Sequence, residues 1–363
     1  MKLFQCHNCG LLLYFENTRC ERCEHILGYI PERTELAALT TRNGNIWHPL
    51  NAPGERYRFC ANADHDACNW LVYADGPDTY CRACQLNRTI PDIGVPENLL
   101  HWQRIEAAKH RLVYGLLRLG LYVAGKFQDA ENGLAFDFLS GSGTMFHDSP
   151  PVVTGHMAGV ITIDIAEADP AERERHRQEM IESYRTLLGH FRHEIGHYYW
   201  ERLVRNGVWH DAFRQMFGDE SQDYGTALEA HYANGPQAGW QSRYISAYAS
   251  CHPWEDFAET WAHYLHIVDT LETASAFGLC VHPDIEHEPA LELDMEIDFD
   301  PYRQPDFNAL IAPWVPLTAA VNSLNQSMGQ PDMYPFVLAP SVIGKLRFIH
   351  GLVHGDDPAN IAG

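Results

Sequence analysis

Basic residues are scarce in this 363-residue chain: 26 Lys+Arg face 48 Asp+Glu, a formal net charge of −22. A general nucleic-acid binder needs the opposite balance, because neutralising phosphates supplies most of its affinity. Long apolar runs are missing too, and no stretch approaches the roughly 18 uninterrupted apolar residues of a membrane span. The opening Met-Lys-Leu-Phe-Gln-Cys-His-Asn-Cys has no apolar h-region and no cleavage site, so a cytoplasmic, reducing setting is expected. There is no internal repeat beyond a short cysteine motif. With 45% hydrophobic and 20% charged residues, the composition is that of a globular protein of two or three domains.

Cysteine and histidine are abundant, at 10 and 21 residues. Eight cysteines precede residue 85: Cys6, Cys9, Cys20, Cys23, Cys60, Cys68, Cys81 and Cys84. Three of their four pairs are C-x-x-C, a spacing at which two thiolates grip one tetrahedral ion and two knuckles complete a four-cysteine site. Gly10, just after Cys9, permits the left-handed turn such a knuckle needs. Cys60 and Cys68 are separated by seven residues, and His65 between them is an alternative ligand, with the four thiolates preferred. A reducing compartment disfavours disulfides, so two structural zinc sites are expected. Pairing could be sequential or cross-braced. Residues 1–90 hold nine Lys/Arg and ten Asp/Glu, with no basic patch interleaved with aromatics. A structural or protein-docking role therefore fits this module better than nucleic-acid binding. Cys251 and Cys280 read as inert buried thiols.

Pro91, Gly94 and Pro96 mark a linker. Apolar residues then recur at helical spacing from Asn98 to about Leu119. Residues 120–158 look loop-rich, and Gly-Val-Ile-Thr-Ile-Asp-Ile at 159–165 reads as a strand. Asp169-Pro170 starts a helix that is expected to run to about Val204, with a possible kink. Another should begin at Pro253 and pass His266, with further helical segments near 317–328 and 340–354. Residues 284–300 carry eight acids and no Lys or Arg, which suggests a solvated loop or edge.

Within the central helix lies His193-Glu194-Ile195-Gly196-His197. Histidines four apart share one helix face and can reach one ion, while Glu194 projects at a different angle. The pattern suits hydrolysis by a metal-activated water, with Glu194 as general base. A third His six residues after the second would mark a metzincin, but that position is Leu203. Glu255 and Glu259, on the next helix, are also four apart. Glu255 can bind the ion, and Glu259 can hold the outer N–H of a ligating His. His190 shares the face of His193 and His197 but lies seven residues from His197, about 10 Å along the axis, too far to share the ion. His263 and His266 should pack or solvate.

Tyr248 and the run Glu255-x-Phe257-Ala258-Glu259, following an H-E-x-x-H helix, resemble the gluzincin domain of the anthrax lethal factor type. That resemblance implies Glu255 as third ligand and Tyr248 facing the reaction centre, where it would assist the oxyanion. His231 is the weaker candidate for that task. More broadly, the early C-x-x-C pairs, residues 159–169 and Tyr184 to Glu194 resemble a bacterial family that joins a zinc ribbon to a zinc-binding metallopeptidase. The expected organisation is α+β: a zinc ribbon at 1–30, a second zinc-binding module and linker at 31–92, and a mainly helical zincin-type domain with a small sheet at 93–363. The strand at 160–165 should run as an edge beside the zinc cleft and accept a polypeptide substrate by strand addition. Residues 91–363 hold 17 Lys/Arg and 38 Asp/Glu, so basic or neutral polypeptides are the expected substrates. The competing reading is a zinc-stabilised protein-binding or regulatory module with a non-catalytic metal site.

Overall fold

A computed structural model of the chain describes residues 1–41, 44–140, 155–173, 186–284 and 293–358. The protein is α+β, and its chain forms two compact units: residues 1–117 with 122–176, and residues 118–121 with 177–363.

In the first unit each early knuckle closes through a residue of positive φ. Gly10 (φ 72°) and Glu24 (φ 61°) donate their N–H groups to the carbonyls of Cys6 and Cys20, both at 2.8 Å. Glycine adopts this turn freely, and Glu24 adopts it under the constraint of the knuckle. The hairpin β1 (Phe4–Gln5) and β2 (Leu12–Leu13) frames the first knuckle. Strands β3 (Ile26–Ile30), β4 (Glu35–Thr41), β5 (Trp47–Pro49), β6 (Tyr57–Phe59) and β7 (Leu71–Tyr73) then form one antiparallel sheet in that order. Its core is Ile30, Ala37, Leu39, Tyr57 and Leu71. A bridge between Tyr29 and Trp70 joins the outermost strands, so the sheet turns back on itself. Gly28 makes that approach possible, since a Cβ there would stand 2.7 Å from Leu71 Cγ.

After β8 (Asn87–Thr89) comes helix α1 (Pro96–Arg118), where the apolar periodicity places it. Trp102, Ile105, Leu112 and Leu116 form its buried stripe. A second sheet has the order β10-β11-β9-β8, with β9 at Ala135–Leu139, β10 at Gly155–Met157 and β11 at Val160–Asp164. The strand expected at 160–165 is thus present, but not as an edge. β11 is paired parallel to β9 on one side and antiparallel to β10 on the other. A two-residue hairpin turn, with Ala158 and Gly159 both at positive φ, supplies the covering strand. β11 therefore has no free main-chain groups for strand addition, and it belongs to the first unit, whereas the H-E-x-x-H motif belongs to the second.

In the second unit, helix α2 (Leu187–Tyr199) carries that motif. It does not run unbroken from Ala171. Thr186 is extended (φ −101°, ψ 155°), and its hydroxyl accepts the Gly189 N–H at 2.9 Å, an N-cap that starts a new helix. Residues 174–185 of the expected continuous helix lie outside the described residues. Past Tyr199 the helix widens into a π turn, Trp200–Val204. Then follow α3 (His210–Phe217), α4 (Tyr224–Asn234), α5 (Pro253–Ala276), α6 (Phe307–Ile311), α7 (Trp314–Ser327) and α8 (Pro340–His354). The core stacks Tyr199 on Trp261 and gathers Phe213, Phe217, Phe257 and Phe348. Inside it, Lys345 Nζ meets Asp256 at 2.5 Å.

The acidic stretch is more anchored than its composition suggests. Residues 285–292 lie outside the described part, but Met295 exchanges backbone hydrogen bonds with Val281, and Met295 and Ile297 are buried. Asp300 pairs with Arg118 at 2.8 Å. Phe307–Ser327 reaches a mean hydropathy of 1.2, yet a turn at Ala312–Pro313 divides it into two short helices.

Candidate active site

Helices α2 and α5 pack closely enough to bring two separate sequence motifs to one point. Gly196 faces α5, and a Cβ there would stand 2.9 Å from Ala258 Cα and 3.2 Å from both Ala258 O and Trp261 Cβ. Helix α5 starts two residues before Glu255. His252 caps it by accepting the Trp254 N–H, Pro253 takes the first position, and Glu255 falls in the first turn.

The expected ligands converge. His193 Nε2 lies 3.0 Å from Glu255 Oε2 and 3.1 Å from His197 Nε2, and His197 Nε2 lies 3.5 Å from Glu255 Oε2. Around a tetrahedral zinc with bonds of about 2.0–2.1 Å, donor atoms stand about 3.3–3.4 Å apart. His193 Nδ1 is 2.7 Å from Glu259 Oε1, so it donates its proton there and turns the lone pair of Nε2 toward Glu255. Two acceptors 3.0 Å apart need a metal ion or a proton between them, and Glu255 Oε2 is buried with no hydrogen-bond partner. The electrostatics agree. Burial works against a charged His193, yet hydrogen bonds and charge from Glu255 and Glu259 hold its pKa well above the ordinary value. Burial also works against an ionised Glu255, and the facing histidines hold it well below the carboxylate range. The pocket is built for positive charge.

Glu259 is itself oriented, accepting the Ser246 hydroxyl at 2.6 Å. Glu194 is buried, with Oε1 3.2 Å from His190 Nε2 and Oε2 without a hydrogen-bond partner. Burial raises its pKa, but the His190 hydrogen bond and the charges of His190, His193 and His197 bring it down to about 2. His190 thus sits off the three-donor cluster, as its spacing requires, and touches Glu194 instead. Tyr248, on a 3₁₀ turn before α5, has its ring 5.9 Å from that of His193 and 6.0 Å from that of His231 on α4. His263 and His266 are both buried, His263 against Tyr334 and His266 against Arg192.

Two contacts escaped the sequence. Tyr224, first residue of α4, donates its hydroxyl to Glu255 Oε1 at 2.9 Å. Trp254 lays its ring 4.0 Å from the His197 ring. Tyr224 is 31 residues from Glu255 and has no motif around it. Trp254 directly precedes Glu255, a clue the spacing argument did not use.

The eight early cysteines gather in two sets, Cys6, Cys9, Cys20 and Cys23, and Cys60, Cys68, Cys81 and Cys84, each with its sulfurs within 4.8 Å of one another. The knuckles therefore pair in sequence order rather than cross-braced. Sulfur separations of 3.5 Å for Cys6–Cys23 and Cys9–Cys20 and 3.7 Å for Cys68–Cys81 approach the ~3.8 Å edge of a zinc–thiolate tetrahedron. His65 packs against Trp102 rather than joining the second set. Cys280 is exposed and Cys251 half-buried, so neither is the buried thiol expected.

Two family models cover most of the chain. Residues 98–352 match the family described as "Putative zinc-binding metallo-peptidase", and residues 3–95 match a zinc-ribbon domain. The chain belongs to this zinc-binding metallopeptidase family. Uncharacterized proteins of Mycobacterium bovis and Mycobacterium tuberculosis are 42% identical to it over 354 residues, covering 97% of this chain and 95% of theirs. No solved structure matches, and the likeness to anthrax lethal factor is not shown by these comparisons. The family places zinc and peptidase chemistry with this fold.

Proposed function

We propose that the protein hydrolyses peptide bonds in polypeptide substrates as a zinc metallopeptidase of gluzincin type. The observation that carries this reading is the three-donor cluster of His193, His197 and Glu255 beside a buried Glu194 with one unpartnered oxygen. A donor set of two imidazoles and one carboxylate suits zinc and leaves a fourth position for the reaction. Zinc held there supplies the Lewis acidity that makes water nucleophilic near neutral pH and polarises a carbonyl.

The chain's own residues do the rest. Glu194, ionised at neutral pH, takes the proton from the attacking water on Oε2 and passes it to the departing amine. His190 fixes the other oxygen and so aims the carboxylate. Glu259 locks the tautomer of His193, and Tyr224 holds Glu255. Tyr248 donates to the developing oxyanion, with the His231 ring 6.0 Å from its own. Burial around Glu194, His197 and Glu255 keeps bulk water from competing for these groups. One zinc would serve here and two in the cysteine sets, where they stabilise the ribbon segment and form a surface for a protein partner. The acidic balance of residues 91–363 favours basic or neutral substrates and disfavours nucleic acid as a partner.

Glu194→Gln tests the mechanism. Purified variant should keep its zinc and lose peptide hydrolysis by two or more orders of magnitude. Wild-type rates in this variant would remove Glu194 from the mechanism.

A further inference from the structure

The second cysteine set has a fifth donor that the C-x-x-C spacing does not announce. His110 lies on α1, is buried, and points Nε2 at three sulfurs: Cys68 at 3.2 Å, Cys84 at 3.6 Å and Cys81 at 3.8 Å. Its other ring nitrogen, Nδ1, is 2.6 Å from the backbone oxygen of Glu106. A carbonyl can only accept, so Nδ1 carries the proton and Nε2 of the neutral ring presents its lone pair to the sulfurs. A metal-bound histidine is typically held in this way.

The distances decide what that lone pair is for. In a tetrahedral site with zinc–sulfur bonds of about 2.3 Å and zinc–nitrogen bonds of about 2.0–2.1 Å, sulfur and nitrogen stand about 3.5 Å apart and two sulfurs about 3.8 Å. The three Nε2–sulfur separations average about 3.5 Å, and Cys68–Cys81 is 3.7 Å. Cys60 completes the group of four sulfurs, yet among the described residues it is the one of the four with no hydrogen-bond contact to Nε2. Accepting a backbone N–H does not set it apart, since Cys60 accepts that of Cys81 and Cys68 that of Trp70, both at 3.3 Å.

We propose that the second structural zinc is held by Cys68, Cys81, Cys84 and His110, with Cys60 a fifth donor outside the coordination sphere. The buried Lys109–Glu106 pair, with Lys109 also bonded to Asn87, sits beside it and fixes this stretch of α1. Such a site ties two matched segments together, since the cysteines lie within the zinc-ribbon match and His110 within the metallopeptidase match. The ion would anchor α1 to the ribbon rather than merely close a loop of it.

Zinc-edge X-ray absorption on the full chain tests this, using His193→Ala/His197→Ala protein so that only the thiolate-rich sites load. The expected spectrum contains imidazole outer-shell scattering beside the sulfur shell, at two zinc ions per chain. Adding His110→Ala should abolish that scattering, and Cys60→Ser should leave both zinc ions in place. If the double variant folds poorly, wild-type and His110→Ala spectra read the same loss of one imidazole. A sulfur-only spectrum from the double variant, or no change on His110→Ala, overturns the assignment. Zinc loss in Cys60→Ser with full retention in His110→Ala restores a four-cysteine site.

Discussion

Gly196→Ala pits two effects of opposite sign against each other. In an exposed helix the change would stabilise by about 1 kcal/mol, because glycine loses more backbone entropy than alanine. Here the new methyl would stand 2.9 Å from Ala258 Cα and 3.2 Å from Ala258 O, where ordinary contact begins at 3.4 Å. The obstructing atoms are mostly α5 backbone, so no side chain can simply swing away. Helix α5 would have to retreat by about 0.5 Å or more, and overpacking of this kind costs typically 1–3 kcal/mol. The net expectation is a loss of up to about 2 kcal/mol. Because α5 also carries Glu255, the same retreat stretches the His193–Glu255 and His197–Glu255 separations. A misplacement of about 1 Å can cost about 100-fold in rate, so about tenfold is expected from half of it. Thermal unfolding, zinc affinity by competition with a chelator, and kcat/KM on a peptide substrate read the three consequences. A variant that melts higher than wild type with unchanged zinc affinity would refute the argument, for it would show that propensity wins and the helices are not in contact at that point.

Other expectations follow from single contacts. Tyr224→Phe removes the hydroxyl that holds Glu255 Oε1 and should weaken zinc binding at the active site about tenfold, measured by chelator competition, with little change in melting temperature. A mild chelator should remove one zinc of three readily, leaving the thiolate-bound pair, as metal analysis before and after dialysis would record. Glu220, bonded to Arg214 and His210, is driven down to about 2 from 4.5 against the opposing effect of burial. Its folded-state pKa is depressed, so its contribution is fully present above about pH 4.5 and is lost as pH falls toward 2. Glu220→Gln should flatten that part of an unfolding-free-energy profile measured against pH, and a profile parallel to wild type would count against it.

The site was legible in the sequence because its parts are local. Helical spacing puts His193 and His197 on one face, and the same spacing pairs Glu255 with Glu259, so each half could be read alone. The knuckle spacing likewise marked six of the eight early cysteines, and the structure settled their order. What could not be read was long-range. Tyr224 reaches Glu255 through a loop whose path no periodicity describes. β11 was placed at an edge because its own alternation says nothing of a neighbour, and a three-residue strand, Gly155–Met157, covers it. The helix break at Thr186 was written in a cap: a hydroxyl residue followed three positions later by Gly189 competes with an otherwise uninterrupted helical run. Absence of Gly and Pro is weaker evidence for continuity than presence of a cap is for a start.

The hydroxyl of Tyr224 has an effect beyond steadying Glu255. By occupying Oε1 it leaves that carboxylate one oxygen to offer, and the other two donors are nitrogen. Calcium, which gathers six to eight oxygens and favours two-oxygen carboxylates, finds a single oxygen here; magnesium, which prefers an octahedron of oxygens, fares no better. Choice among cellular cations is thus set partly by a phenol 31 residues away in the chain, on a helix that contributes no ligand of its own.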